Sequence, residues 1–328
     1  MTDKQQAPYF DTHAGSKNHK HVLFAAGRPV QARELNEAQS IVQDQLGKFA
    51  DHVFKNGSRV SNGSIAIVEH EYVRLKDLDA DGNTTKLDFF KQGIELEGET
   101  SGVKAKLHAW TPKEESDPVT LFVLYTATGI DGQQHRFLNG ETLKVKDANL
   151  NTVYKVVVRC PSCPQSADDV NEIDPCAFGA KFFNVADGVY YYNGFFVSVA
   201  ASQLVFSKYG APVTCKIGFD VIERIITAEE DPTLYDNALG YPNEASRGAD
   251  RIVVNFNLVK RNNAVADGTQ FVELAVIEDG YVQLLKSDFQ YADLMDTLAK
   301  RTYEESGNYT VVPFEVRYRE HKKSGVND

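Results

Sequence analysis

Between residues 32 and 55 the apolar side chains Leu35, Ala38, Val42, Leu46, Phe49 and Val53 recur at gaps of three and four, the period that gathers side chains into one narrow stripe of an α-helix. Arg33, Glu37, Ser40, Asp44, Lys48 and Asp51 fall on the other side. Asp44 with Lys48, and Asp51 with Lys55, stand four apart, where opposite charges support a helix, and Asn56-Gly57 offers a left-handed stop. A helix from about Ala32 to Lys55 is therefore predicted. Gly47 in its middle costs about 1 kcal/mol against Ala, so tertiary or partner packing has to hold it.

Beyond residue 63 the period changes to two. GVKAKLHAW sets Val103, Ala105, Leu107 and Ala109 on one face, and DRIVVNFNLVKR sets Ile252, Val254, Phe256 and Leu258 against Val253, Asn255 and Asn257. Such alternation marks half-buried strands. VTLFVLYTA (119–127) and VYKVVVR (153–159) are unbroken apolar runs suited to central strands or sandwich cores. Asn193-Gly194 and Asp279-Gly280, each between two apolar runs, predict two-residue hairpin turns. A second helix fits residues 288–303, before a last strand in YTVVPFEVRYR. Residues 1–26 carry no sustained period and read as an extended arm with the short apolar anchors PYF and HVLFAAG.

The fold class is accordingly mainly β (α+β): β-sandwich or barrel-like domains preceded by an arm and an amphipathic helix. Polar breaks at 77–86, 111–118, 161–176 and 228–249 divide the chain into 1–76 (arm, helix and first strand), 77–150 (a small β domain) and 151–328 (a larger β domain with a C-terminal helix).

Composition adds little, with 42% hydrophobic and 25% charged residues in an ordinary globular balance. Charge adds more. A formal net charge of −11 argues against a general grip on phosphate backbones or anionic lipid. No apolar run approaches the roughly 20 residues of a membrane span, and the N-terminus lacks the build of a secretion signal. A soluble product made in the cytosol is expected.

Two stretches could hold a metal. DLDADGNTTKLD (77–88) follows the calcium-loop pattern. Asp77, Asp79 and Asp81 would supply oxygens, Gly82 the turn, Asn83 a backbone carbonyl and Asp88 the closing carboxylate. Its strand-like flanks suit an acidic hairpin turn as well. Cys160 and Cys163 have the spacing of half a zinc site and Cys176 could be a third ligand, with no evident fourth. The alternative there is a loop of reduced thiols. VEHEYVR starts like a zinc-protease helix, but Arg74 stands where the second His is needed. His13, His19 and His21 read as exposed polar residues of the arm. Glycine fingerprints for nucleotides and nucleophile elbows are missing, so no catalytic or cofactor-binding residues are assigned.

PYFD, then HVLFAAGRPVQARELNEAQSIVQDQLGKFADHVFKNGSRVSNG, resembles a family of virion structural proteins of tailed bacteriophages. ETSGVKAKLHAW, VTLFVLYTATGIDGQ, DPTLYDNALGYPNEASRGADRI and LAKRTYEESGNYTVVPFEVR resemble that family's later stretches in the same order. The resemblance implies a non-enzymatic tail baseplate or fibre-attachment protein. It implies a place in the virion after assembly in the host cytoplasm, among other tail proteins and in several symmetric copies. A tail-associated hydrolase and a receptor-binding adhesin are the alternatives. On this reading Leu35, Ala38, Val42, Leu46, Phe49 and Val53 form an interface to a second subunit or another tail protein. The competing reading packs the same stripe on the chain's own β domain.

Overall fold

The structure, a computed structural model, describes residues 4–114, 117–130, 132–159, 176–261, 270–285 and 292–307. It is mainly β. After the arm, α1 spans Ala32–Ala50, followed by β1 (Arg59–Asn62), β2 (Ile65–Arg74), β3 (Glu95–Gly98), β4 (Lys104–Thr111), β5 (Thr120–Ala127), β6 (Thr142–Lys146) and β7 (Thr152–Val157). The second half holds β8 (Cys176–Val185), β9 (Gly188–Tyr192), β10 (Phe195–Val199), β11 (Ser202–Ser207), β12 (Cys215–Ile226), β13 (Arg251–Arg261), β14 (Phe271–Glu278), β15 (Tyr281–Leu285) and α2 (Ala292–Ser306).

Among the described residues the strands form three antiparallel sheets, ordered β1-β9-β10, β11-β8-β2-β5-β4-β3-β6-β7 and β13-β12-β14-β15. The long sheet curls on itself. Lys76 donates its backbone N–H to Val157 O at 2.8 Å and Arg159 donates to Arg74 O at 2.8 Å, with Leu75 bridging Val158. β2, β5, β4, β3, β6 and β7 therefore close into a barrel, which leaves those edges paired. Its interior is filled by Val73, Leu96, Leu107, Leu121, Leu143 and Val156, all essentially without solvent exposure. Each such side chain contributes roughly 1.5–3 kcal/mol relative to exposure.

A second core lies among β8 and β11, the β1-β9-β10 sheet and the four-stranded sheet, built on Phe183, Tyr190, Phe206, Ile217, Phe219 and Leu274. β2 serves both cores. Ile65 and Ile67 near its start pack in the second core, and Val73 near its end packs in the barrel.

Three expectations need correction. Ala109 does not share the face of Leu107: a bulge between them shifts the register, so Ala109 packs with Tyr72 and Phe182 while Trp110 turns to the barrel core. The first helix stops at Ala50 rather than near Lys55. Val53 and Phe54 donate their N–H groups back to Ala50 O, and the Phe54 ring packs on Tyr191 and Phe196, drawing the chain off the helix axis. The second helix is displaced along the chain and ends at Ser306. Both hairpin turns form where predicted, with positive φ at Asn193, Gly194, Asp279 and Gly280. The strand expected in YTVVPFEVRYR lies outside the described residues.

Candidate functional site

At the start of α1 the Glu34 carboxylate accepts from Gln31 N at 2.9 Å while Glu34 N donates to the Gln31 backbone carbonyl at 3.0 Å. What holds it to the protein is the side opposite the stripe, where polar groups stand beside the buried Ile41, Gly47 and Ala50. Gln43 Nε2 donates to Gly194 O at 2.6 Å, and the Tyr191 hydroxyl donates to Asp51 Oδ1 at 2.5 Å while accepting the Gly194 N–H at 2.9 Å. Gly194 permits this approach. A Cβ added to Gly194 would lie 2.9 Å from the Gly47 Cα, so helix and hairpin backbones touch. Burial and the Asp51 carboxylate push the Tyr191 hydroxyl up to about 12, which keeps it a donor across the neutral range.

The arm covers the rest of that side. Ser40 Oγ donates to Asp11 at 2.5 Å, Thr12 Oγ1 donates to Glu37 at 2.8 Å, and His19 Nδ1 lies 2.9 Å from the same carboxylate. Those two hydrogen bonds, His19 first, hold the Glu37 carboxyl below its usual range. Asp44 is lowered likewise by Lys48, 2.6 Å away, and His13 approaches it to 3.8 Å. Tyr9 ties the arm to the far half of the chain by donating to Asp250 Oδ2 at 2.7 Å.

With its polar side engaged, α1 turns its apolar stripe to solvent. Leu35, Val42, Leu46 and Phe49 are 51%, 67%, 46% and 69% exposed, and Ala38 is half-buried between them. Val53, past the helix end, is half-buried in the following turn. Leu23, Phe24 and Val30 of the arm are exposed too, so the HVLFAAG stretch is not the buried anchor its composition suggests. Contiguous exposed apolar side chains of this kind mark contact surfaces. The polar half of the arrangement, with Gln43, Gly47, Tyr191 and Asp11, escaped the sequence reading. Its one local sign was a glycine in mid-helix.

The other candidates are placed differently. Asp79 is buried, accepts the Asp81 and Asn83 N–H groups at 3.0 and 2.8 Å and the Tyr154 hydroxyl at 3.1 Å, and so organises the turn itself. Asp77 pairs with Lys113 at 2.7 Å, the Asn83 carbonyl accepts the Asp79 N–H, and Asp88 sits in a short 3-10 turn. The structure does not bring the five together as a ligand set. Cys176 is buried in the barrel core, and Cys160 and Cys163 lie outside the described residues. Among the described residues no cluster of three or more His, Cys, Asp or Glu is arranged to hold a metal ion, and no helix is long and apolar enough to cross a membrane.

Residues 7–119 and 177–327 match a family described as a domain of unknown function, DUF4815. The arm from residue 7 onward, α1 and the β9–β10 hairpin fall inside the matched segments. No curated protein and no solved structure matches the chain.

Proposed function

Since the chain belongs to the DUF4815 family, whose description assigns no activity, we propose that it is a non-enzymatic structural protein of a bacteriophage virion. Its place would be the tail baseplate or the fibre-attachment region, reached by docking through α1. The outward stripe of α1 carries this reading. A helix that packs by the side opposite its stripe and exposes Val42 and Phe49 leaves apolar surface that only a partner can remove from water. The arm-and-helix block that presents this stripe is also the block whose residues resemble the phage tail proteins.

The test is the double substitution Leu46→Asp with Phe49→Asp. The purified variant is expected to melt with the wild type, because both side chains already face solvent, and to be missing from particles assembled in an infected host. Early melting, aggregation of the isolated chain or normal incorporation would each defeat the reading. Incubation with peptidoglycan or capsule polysaccharide is expected to give no turnover.

A further inference from the structure

The exposed stripe of α1 is arranged symmetrically about Val42: Leu35 and Phe49 stand seven residues to either side, Ala38 and Leu46 four, and the exposed Gln39 and Gln45 three. We propose that this stripe docks on the same stripe of a second copy of the chain, with the two α1 helices antiparallel and Val42 at the two-fold axis. The proposal rests on α1 being a docking surface and names what covers it.

Packing favours that orientation. In the antiparallel pair Val42 meets itself, each Ala38 shares a layer with Leu46 of the second copy, and each Leu35 shares one with Phe49. Small side chains then stand beside large ones and the layers are even in thickness. A parallel pair would set Ala38 on Ala38 and Phe49 on Phe49, a void beside an overfilled layer. The gaps along the stripe, 3, 4, 4 and 3, sum to 14, two heptads at a mean spacing of 3.5, the period at which two helices keep such a stripe facing each other with a shallow left-handed wind.

Charge points to the same partner. Each copy carries a formal net charge of −11, which opposes association in general. Along α1, however, Glu37 and Asp44 are engaged on the docked side with Thr12, His19 and Lys48. The stripe is edged by Gln39 and Gln45. Flanking charges are how paired helices select a different partner, and an uncharged edge selects none while letting two like-charged copies approach. The β body lies behind the polar side of its own helix, so opposed stripes carry the bodies apart. An isologous contact needs only this self-complementarity.

Two facing stripes bury on the order of 1,000 Å² in total, at the lower bound of a specific interface, so the dimer is expected to depend on concentration. Sedimentation of the full chain over a concentration series should show a monomer–dimer equilibrium, and Val42→Asp should weaken it by roughly tenfold or more without changing the melting curve. Measured against wild type, Val42→Cys should form a disulfide-linked dimer. Leu46→Cys alone should not, because its two copies occupy different layers, whereas a mixture of Leu35→Cys and Phe49→Cys should link the two variants. A wild-type chain that stays monomeric at every concentration overturns the proposal yet leaves the particle-incorporation test free to succeed. A dimer that survives Val42→Asp overturns it by placing the contact elsewhere, and equal self-linking at positions 35, 42 and 49 overturns the antiparallel arrangement.

Discussion

His70 on β2 and His108 on β4 stack with ring centroids 4.1 Å apart, and the Phe182 ring meets both edge-on. Burial, then the neighbouring His108, pulls the His70 imidazole below its ordinary 6.5. A lowered folded value means that the unfolded chain takes up the proton first, so stability is whole above pH 6.5 and drains away as pH falls through the folded value. The melting temperature is expected to drop on acidification before the carboxylates, ordinarily near 4.5 or below, begin to titrate. His70→Gln should flatten that first slope, and an unchanged slope would remove the pair from the explanation. In the 77–88 turn burial raises the Asp79 carboxyl, but the hydrogen bonds from Asn83, Tyr154 and Asp81 outweigh it and leave it lowered. Asp79→Ala should therefore melt earlier, whereas Asp81→Asn should melt with the wild type, as differential scanning fluorimetry can show.

Gly194 and Gly47 meet where helix and hairpin touch, and the two substitutions to Ala should differ in sign. Gly194 has φ +82°, and its Cβ would press on the Gly47 backbone at 2.9 Å, so Gly194→Ala is expected to cost about 1–3 kcal/mol. A Cβ on Gly47 would meet the Gly194 Cα at an ordinary 3.4 Å, and Ala favours a helix over Gly by up to about 1 kcal/mol. Gly47→Ala should thus be neutral or mildly stabilising in urea unfolding. Destabilisation by both would mean that helix and hairpin lie closer than described.

Joining of the two cores through β2 has a consequence for how the protein comes apart. Neither core can open without disturbing the strand they share, so the barrel and the sandwich are expected to unfold together. Cys176 reports on the barrel and Cys215 on the sandwich, each a buried thiol outside any disulfide. Burial also raises the Cys215 thiol, which keeps it unreactive until exposed. Peptide-resolved alkylation across a denaturant series should label both thiols along one curve. Earlier labelling of Cys176 alone would show a barrel that opens by itself.

The period of α1, the alternation in β13 and the Asn193-Gly194 and Asp279-Gly280 turns were legible because each depends on residues within a few positions of one another. β5 also sits where its apolar run suggested, between β2 and β4, with Leu121 in the barrel core and Phe122 against Phe182 on the other face. Other features rest on contacts that no local pattern records. Closure of the barrel needs β7 to reach Leu75, the face of Ala109 turns on a bulge against β5, and Asp11 finds Ser40 only once the arm folds back. The amino-acid sequence determined that α1 has an apolar and a polar side. Which side faces the protein was decided by Gly194 and Tyr191, more than 140 residues away. Hydrogen bonds and a glycine–glycine approach hold the polar side there, and the apolar stripe is left to face outward.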